Sequence, residues 1–257
     1  MKSNLTLAAL RFFPLFILAM LVTILAQAVH ETGHLLFFQV TGREATWVFT
    51  KVAQLSEPPT NLAEWTEITS PDGSSSWTKV SSMPSGSGRA VMGAAGPLLG
   101  LFSAVLGLVM FRRSTRVTSK QLWLAFVLTI SLVAVLYYLR APMRTGGDEY
   151  DIAVNLGISK APVEILFAFG YLACLVLGLR ELPTWRVRFG WLGTILLGAI
   201  LTGIPMTFID PAIVAQVDTG NLWVRPVLGY SLPVFITIVL TFIGLWVWVR
   251  WQAGASK

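Results

Sequence analysis

Long apolar runs, each about the length a bilayer core demands, alternate with polar stretches rich in Gly, Pro and Ser along the chain. The runs lie at about 12–40, 89–111, 121–139, 161–179, 189–209 and 230–251. Each predicts a transmembrane helix, because lipid offers the backbone no hydrogen bonds and a helix satisfies its own. The first run ends at Thr41-Gly42, where glycine suits a helix C-terminus. Residues 43–88 break the pattern with Pro58-Pro59, Ser74-Ser75-Ser76 and a Pro-Ser-Gly-Ser-Gly run. Within them, β-prone segments at 64–69 and 76–80 flank Pro71-Asp72-Gly73, predicting a hairpin, and an earlier strand is predicted over 45–52. The expected fold class is therefore an all-α polytopic membrane protein of about six transmembrane helices, with a small β element between helices 1 and 2. With no internal repeat evident, residues 1–257 read as one membrane-embedded domain.

Composition agrees with the pattern. Hydrophobic residues make up 54% of the chain and charged residues 12%, too few to coat a water-soluble surface. The net charge of +6 does not point to nucleic acid, because the basic residues sit in short clusters at the ends of apolar runs, as membrane anchors do. Eleven of the 19 Lys and Arg fall on the side of the N-terminus and eight on the other, which favours a cytoplasmic N-terminus. Cys174, the single cysteine, has no intrachain partner. Lys2 and Arg11 precede an apolar run that reaches Ala26-Gln27-Ala28, a small-x-small site of the kind a signal peptidase cuts. Apolar residues continue beyond it through Leu35–Phe38, so an uncleaved first span is expected.

The first run also carries the chemistry. His30-Glu31-Thr32-Gly33-His34 is a His-Glu-x-x-His sequence, and the chain has no other histidine. On a helix, residues four apart share a face about 6 Å apart along the axis, close enough for both imidazoles to bind one zinc ion, with Glu31 beside it as general base. Phe12 to Val29 spans about 27 Å, which places His30 near the far side of the bilayer within reach of water. Catalytic zinc takes a third protein ligand. The stretch Pro142–Asp151 supplies the best carboxylates, with Asp148 the first choice and Asp151 the reserve. Glu164 and Asp210 lie at span ends and are expected to be interface or capping residues. The second span opens with Gly93-Ala94-Ala95-Gly96-Pro97 and has small residues at 96 and 100, which predicts close packing against the metal helix.

These landmarks resemble the site-2 protease family of intramembrane zinc metalloproteases. The similar features are His30–His34 late in the first core helix, a β-forming segment after it, Ala95-Gly96-Pro97 opening the next span, and a glycine-flanked Asp148 in a later loop. They cover about residues 21–151. The resemblance implies that His30, His34 and Asp148 bind Zn2+, that Glu31 activates the bound water, and that a peptide bond in or near a transmembrane segment of a membrane-protein substrate is hydrolysed. It also implies a metal site facing the cytosol, whereas the charge count places it outside. In place of the family's Asn-Pro-x-Pro-x-x-Asp-Gly, Asp148 is followed by Glu149. The expected location is the plasma membrane. Two other readings of the residues are a catalytically silent membrane protein that binds or regulates a partner, and a metal transporter. An intact Glu31 argues against the first, and ligands confined to one span and one loop argue against the second.

Overall fold

The computed structural model describes residues 2–69 and 73–255, with side chains over 12–69 and 73–252. Six of its helices are long and apolar enough to cross a membrane. They are α1 (Lys2–Val40), α2 (Ser87–Arg113), α3 (Val117–Arg140), α5 (Lys160–Arg180), α6 (Trp185–Asp218) and α7 (Leu232–Ala255). The chain is thus a multi-pass membrane protein of the expected class. Where helix boundaries depart from expectation, polar groups in the structure explain why.

The fifth span does not stop at residue 209, because α6 continues through Asp210-Pro211 to Asp218. An acid before a proline reads as a stop in sequence, but the Asp210 carboxylate is occupied by hydrogen bonds from a neighbouring loop, and helix α6 passes through. The sixth span begins at Leu232 rather than 230, since Tyr230–Ser231 forms β5, which pairs antiparallel with β4 (Pro226–Val227). The stretch expected as a loop around Asp148 is also partly helical. A 3-10 turn at Ala141–Met143 is followed by α4 (Asp148–Leu156), whose first turn holds Asp148, Glu149 and Asp151, where carboxylates favour the helix dipole. Gly147 leads into α4 at φ +116°, a conformation that a side chain would strain.

The β element lies between α1 and α2. Strands β1 (Gln54–Leu55), β2 (Thr66–Thr69) and β3 (Ser75–Thr78) form an antiparallel sheet in the order β1-β3-β2, with Thr66 opposite Thr78 and Thr69 opposite Ser75. This is the expected hairpin; Pro71 and Asp72 of its turn lie outside the described residues. The segment expected as a strand over 45–52 is instead folded on itself. Trp47 bridges Val52, Ala45 bridges Val80, and Trp47 also bridges Tyr230 in parallel.

Small residues set the helix packing. A Cβ on Gly33 of α1 would run into the backbone of Ala95 and Gly96 of α2, so these two helices touch backbone to backbone. The close approach expected from residues 96 and 100 is met at Gly96 only. Gly100 lies against the hydroxyl of Tyr171 on α5, which donates to the Pro97 carbonyl at 2.8 Å. One apolar core joins α1 through α5 and the second half of α7, and a second joins the end of α1 to the Trp47 segment, the sheet, α6 and the start of α7.

Candidate metal centre

Three side chains from two elements converge at the junction of these cores. His30 and His34 sit on one face of α1, and their Nε2 atoms are 3.3 Å apart. Asp148, the first residue of α4, places Oδ2 3.1 Å from His30 Nε2 and 3.4 Å from His34 Nε2. Among the described residues, this is the group of His, Cys, Asp and Glu side chains placed to hold a metal ion.

The surroundings orient the donors. His34 Nδ1 lies 2.8 Å from the Met92 carbonyl of α2, an acceptor, so Nδ1 carries the proton and the lone pair of a neutral ring sits on Nε2. Gly96 makes this possible, because any Cβ there would occupy the His34 ring. A neutral Nε2 lone pair, a second imidazole nitrogen and a carboxylate oxygen within 3.4 Å of one another repel unless a cation or proton stands between them. The donor set therefore fits a metal. Burial alone would raise the Asp148 carboxyl; positive charge on the His34 and His30 imidazoles, present when a proton and not a cation stands between the donors, outweighs it and holds the group below the usual carboxylate range.

Asp151, the reserve ligand, is not brought to the histidines. Its Oδ1 accepts from Arg89 Nε at 3.2 Å and pairs with Arg89 Nη2 at 3.1 Å, so it clasps the start of α2 to α4. Burial raises its carboxyl despite that guanidinium. Glu164 pairs with Lys160 at 3.1 Å, whereas Asp210, expected as an interface or capping residue at the end of a span, is instead buried inside α6, because backbone amides of the Phe49-Thr50 loop satisfy its carboxylate there.

Glu31 is buried one residue from His30, and each carboxylate oxygen has a neutral donor. Gln27 Nε2 donates to Oε1 at 2.7 Å and Trp47 Nε1 to Oε2 at 2.6 Å. A carboxylate has about four acceptor sites, so lone pairs remain for a proton. Sequence reasoning missed both partners: Gln27 lies one turn before Glu31 on the same face of α1, a legible signal, whereas Trp47 reaches it only through the folded loop.

Glu149 points away from His30 and His34 and is fully buried. It accepts from Tyr137 Oη at 3.0 Å and pairs with Lys160 Nζ at 3.5 Å. Lys160 also donates to the carbonyls of Ala141 and Arg144 at 2.7 and 2.8 Å. One ammonium thus ties the turn before α4, its second residue and the start of α5 together, which fixes where Asp148 begins.

The metal-centre side chains and the partners of Glu31, Gln27 and Trp47, border one cavity of about 1160 Å³. It contains His30, Glu31, His34 and Asp148, opens past Gln54, Ile68, Thr69 and Ser76 of the sheet, and extends inward to Thr23, Ala134 and Tyr171. Thr23 lies seven residues before His30, so the cavity continues about 10 Å below His30 towards the bilayer interior. A comparison of the chain with known proteins finds no matching family model, no matching curated protein and no matching solved structure.

Proposed function

We propose that the chain is an intramembrane zinc metalloprotease, in which His30, His34 and Asp148 hold Zn2+ and Glu31 is the general base. The observation that carries this is the donor triangle. Zinc binds His N and carboxylate O at about 2.0–2.2 Å, which on a tetrahedron separates neighbouring donors by roughly 3.3–3.5 Å. The three separations here are 3.1, 3.3 and 3.4 Å. Three protein ligands on a tetrahedral ion leave the fourth position for water, the pattern of catalytic rather than structural sites.

When bound, zinc lowers the pKa of a water towards neutrality and polarises the scissile carbonyl. Glu31, held by Gln27 and Trp47, takes the proton from that water and gives it to the leaving amide nitrogen, so that the peptide ends as a carboxylic acid and an amine. Asp148 remains an anion throughout, and the Met92 carbonyl keeps the His34 proton on Nδ1.

The cavity supports a substrate drawn from the membrane. Its inner part is walled by helices α1, α3 and α5, and two polar groups there are already satisfied, Thr23 Oγ1 by the Ala19 carbonyl and Tyr171 Oη by that of Pro97. Such a wall takes apolar side chains of a transmembrane segment. Its outer part reaches the sheet, which binds an extended chain by strand addition once the substrate helix has unwound. The protein acts on membrane proteins in the plasma membrane, alone or as an oligomer, with the lipid bilayer as its medium.

Zinc content and cleavage of co-expressed single-span membrane proteins test this. Wild type binds one zinc and cleaves; Glu31→Gln binds zinc and does not cleave; Asp148→Ala loses both. Full cleavage by Glu31→Gln refutes the mechanism. Cleavage lost in every variant with zinc retained in Asp148→Ala places the third ligand elsewhere.

A further inference from the structure

We propose that Trp47 and Asp210 are positioning residues through which α6 sets the carboxylate of Glu31; this rests on Glu31 being the general base and deepens that role. The starting observation is an acid where acids are costly. Asp210 is 2% exposed and sits eight residues inside the end of α6, a helix that reads as a membrane span. No lysine, arginine or histidine forms an ion pair with it among the described residues. Its oxygens instead accept three hydrogen bonds from one place, from Phe49 N at 2.7 Å, Thr50 N at 3.0 Å and Thr50 Oγ1 at 2.6 Å.

Those donors are the tip of a tight reversal. Val48 N donates to the Lys51 carbonyl at 2.9 Å, and Ala53 N to that of Thr46 at 2.7 Å, so the chain closes on itself across Phe49-Thr50. The two amides at the tip have no backbone acceptor within the turn, and the carboxylate of Asp210 receives both, as an anion does in a backbone nest. The reversal is thereby pinned to α6. Two residues before the tip stands Trp47, 3% exposed, whose indole donates to Glu31. The Trp47 backbone is itself held by the hairpin that joins α6 to α7, its N donating to the Gly229 carbonyl at 2.7 Å and its carbonyl accepting from Ser231 N at 2.8 Å.

The links run in one direction: α6 holds the tip, the tip and the β4–β5 hairpin hold Trp47, and Trp47 holds Oε2 of Glu31. Neither Trp47 nor Asp210 hydrogen-bonds a metal donor; the Trp47 ring stacks on that of His34, with centroids 6.3 Å apart, and phenylalanine at position 47 keeps an aromatic ring there, so Trp47→Phe removes the N–H while leaving the donor triangle in place. What changes is the aim of the base, and proton transfer is sensitive to misplacement of about an ångström, which costs about a hundredfold. The hydroxyl of Tyr230, 2.8 Å from Thr32 Oγ1 and 3.1 Å from the Ala28 carbonyl, fixes α1 against the same hairpin.

The test uses the full chain in detergent or liposomes with a single-span substrate, comparing wild type, Glu31→Gln, Trp47→Phe, Asp210→Asn and Thr50→Val. Trp47→Phe keeps the ring and removes the N–H; it should lower kcat about tenfold or more while KM and zinc content stay within twofold. Asp210→Asn and Thr50→Val should lower kcat in the same sense but less. The double variant Trp47→Phe with Asp210→Asn should be no slower than Trp47→Phe alone, because both act on one link. Adding Trp47→Phe to Glu31→Gln should leave the residual rate unchanged, an outcome that general loosening of the fold does not give. Hydrogen exchange supplies a readout free of activity: the amides of Phe49 and Thr50 should lose protection in Asp210→Asn and keep it in Trp47→Phe. If Glu31→Gln is inactive but Trp47→Phe has wild-type kcat, the positioning role is wrong and the protease role stands. If Glu31→Gln cleaves like wild type, both fall.

Discussion

Gly96→Ala is the sharpest test of the proposed metal centre, because the smallest possible side chain is placed against the ring of His34. A Cβ at position 96 would lie 2.8 Å from both Cδ2 and Cε1 of the His34 ring. Ordinary carbon contacts are about 3.5–4.0 Å, so the ring must retreat by roughly 0.7 Å or more. Donor positions that bind zinc tolerate about 0.2 Å. His34 also cannot slide freely, since its Nδ1 is tied to the carbonyl of Met92, on the same helix that carries the new methyl group. The expected loss is at least the 10- to 100-fold in affinity typical of disturbing a ligand's orientation, or about 1.4–2.8 kcal/mol. The assay is zinc dissociation measured by competition with a chelator on purified protein in detergent, with helicity followed by circular dichroism to confirm folding. Gly100→Ala is the control: its Cβ would press on the Tyr171 hydroxyl, which is no ligand, and zinc affinity should stay within threefold. Wild-type affinity in folded Gly96→Ala would refute the packing account of the site.

Four further outcomes follow from the same geometry. Asp151→Ala should keep zinc affinity within threefold while lowering thermal stability, since Asp151 clasps Arg89 and not the histidines; loss of zinc in it would make Asp151 a ligand. Lys160→Met should destabilise the protein by about 3–5 kcal/mol, read as a lowered unfolding midpoint, because it strands the buried carboxylates of Glu149 and Glu164, and adding Glu149→Gln with Glu164→Gln should recover most of that. Chelation of zinc should lower the unfolding midpoint of wild type reversibly and leave that of Asp148→Ala unchanged, since a ligand stabilises only the state that binds it. Ala134→Phe, which narrows the inner cavity between α1 and α3, should shift cleavage towards substrates with small residues near the scissile bond at unchanged zinc content, and an unchanged size preference would show that the substrate lies elsewhere.

The spans were legible because lipid imposes one rule on every backbone, and hydropathy records it over stretches of twenty residues. Short elements leave no such record. Helix α4 has nine residues, four of them acidic or amide, and its place is set by Gly147 and by Lys160 rather than by an apolar stripe. The β4–β5 hairpin turns on Leu228-Gly229 with φ of +52° and +86°. Two positive φ values in a two-residue turn are normally announced by Asn-Gly or Asp-Gly, and leucine in that position announces nothing. It is held there from outside, with Gln39 Nε2 donating to the Leu228 carbonyl at 3.0 Å and Gly229 packed onto Leu35.

The same division runs through the metal centre. His30, Glu31 and His34 were legible because helical periodicity alone brings them to one face. Asp148 was reached by exhausting the alternatives for a third donor, and the structure shows why its neighbour Glu149 can stand where a small residue would be expected. Asp148 turns towards α1 and Glu149 towards Lys160, so consecutive acids serve opposite sides of the helix start. The partners that aim Glu31 were another matter. Trp47 reads in sequence as one more residue of a β-prone stretch, and Asp210 as a span boundary. Their meaning depends on two amides at a turn tip that have no local acceptor, and a helix 160 residues away in sequence supplies one. A motif specifies which donors share a face, but the orientation of the Glu31 carboxylate between them is decided by hydrogen bonds closed over long stretches of sequence, from the loop after the first helix to α6 and the hairpin that follows it.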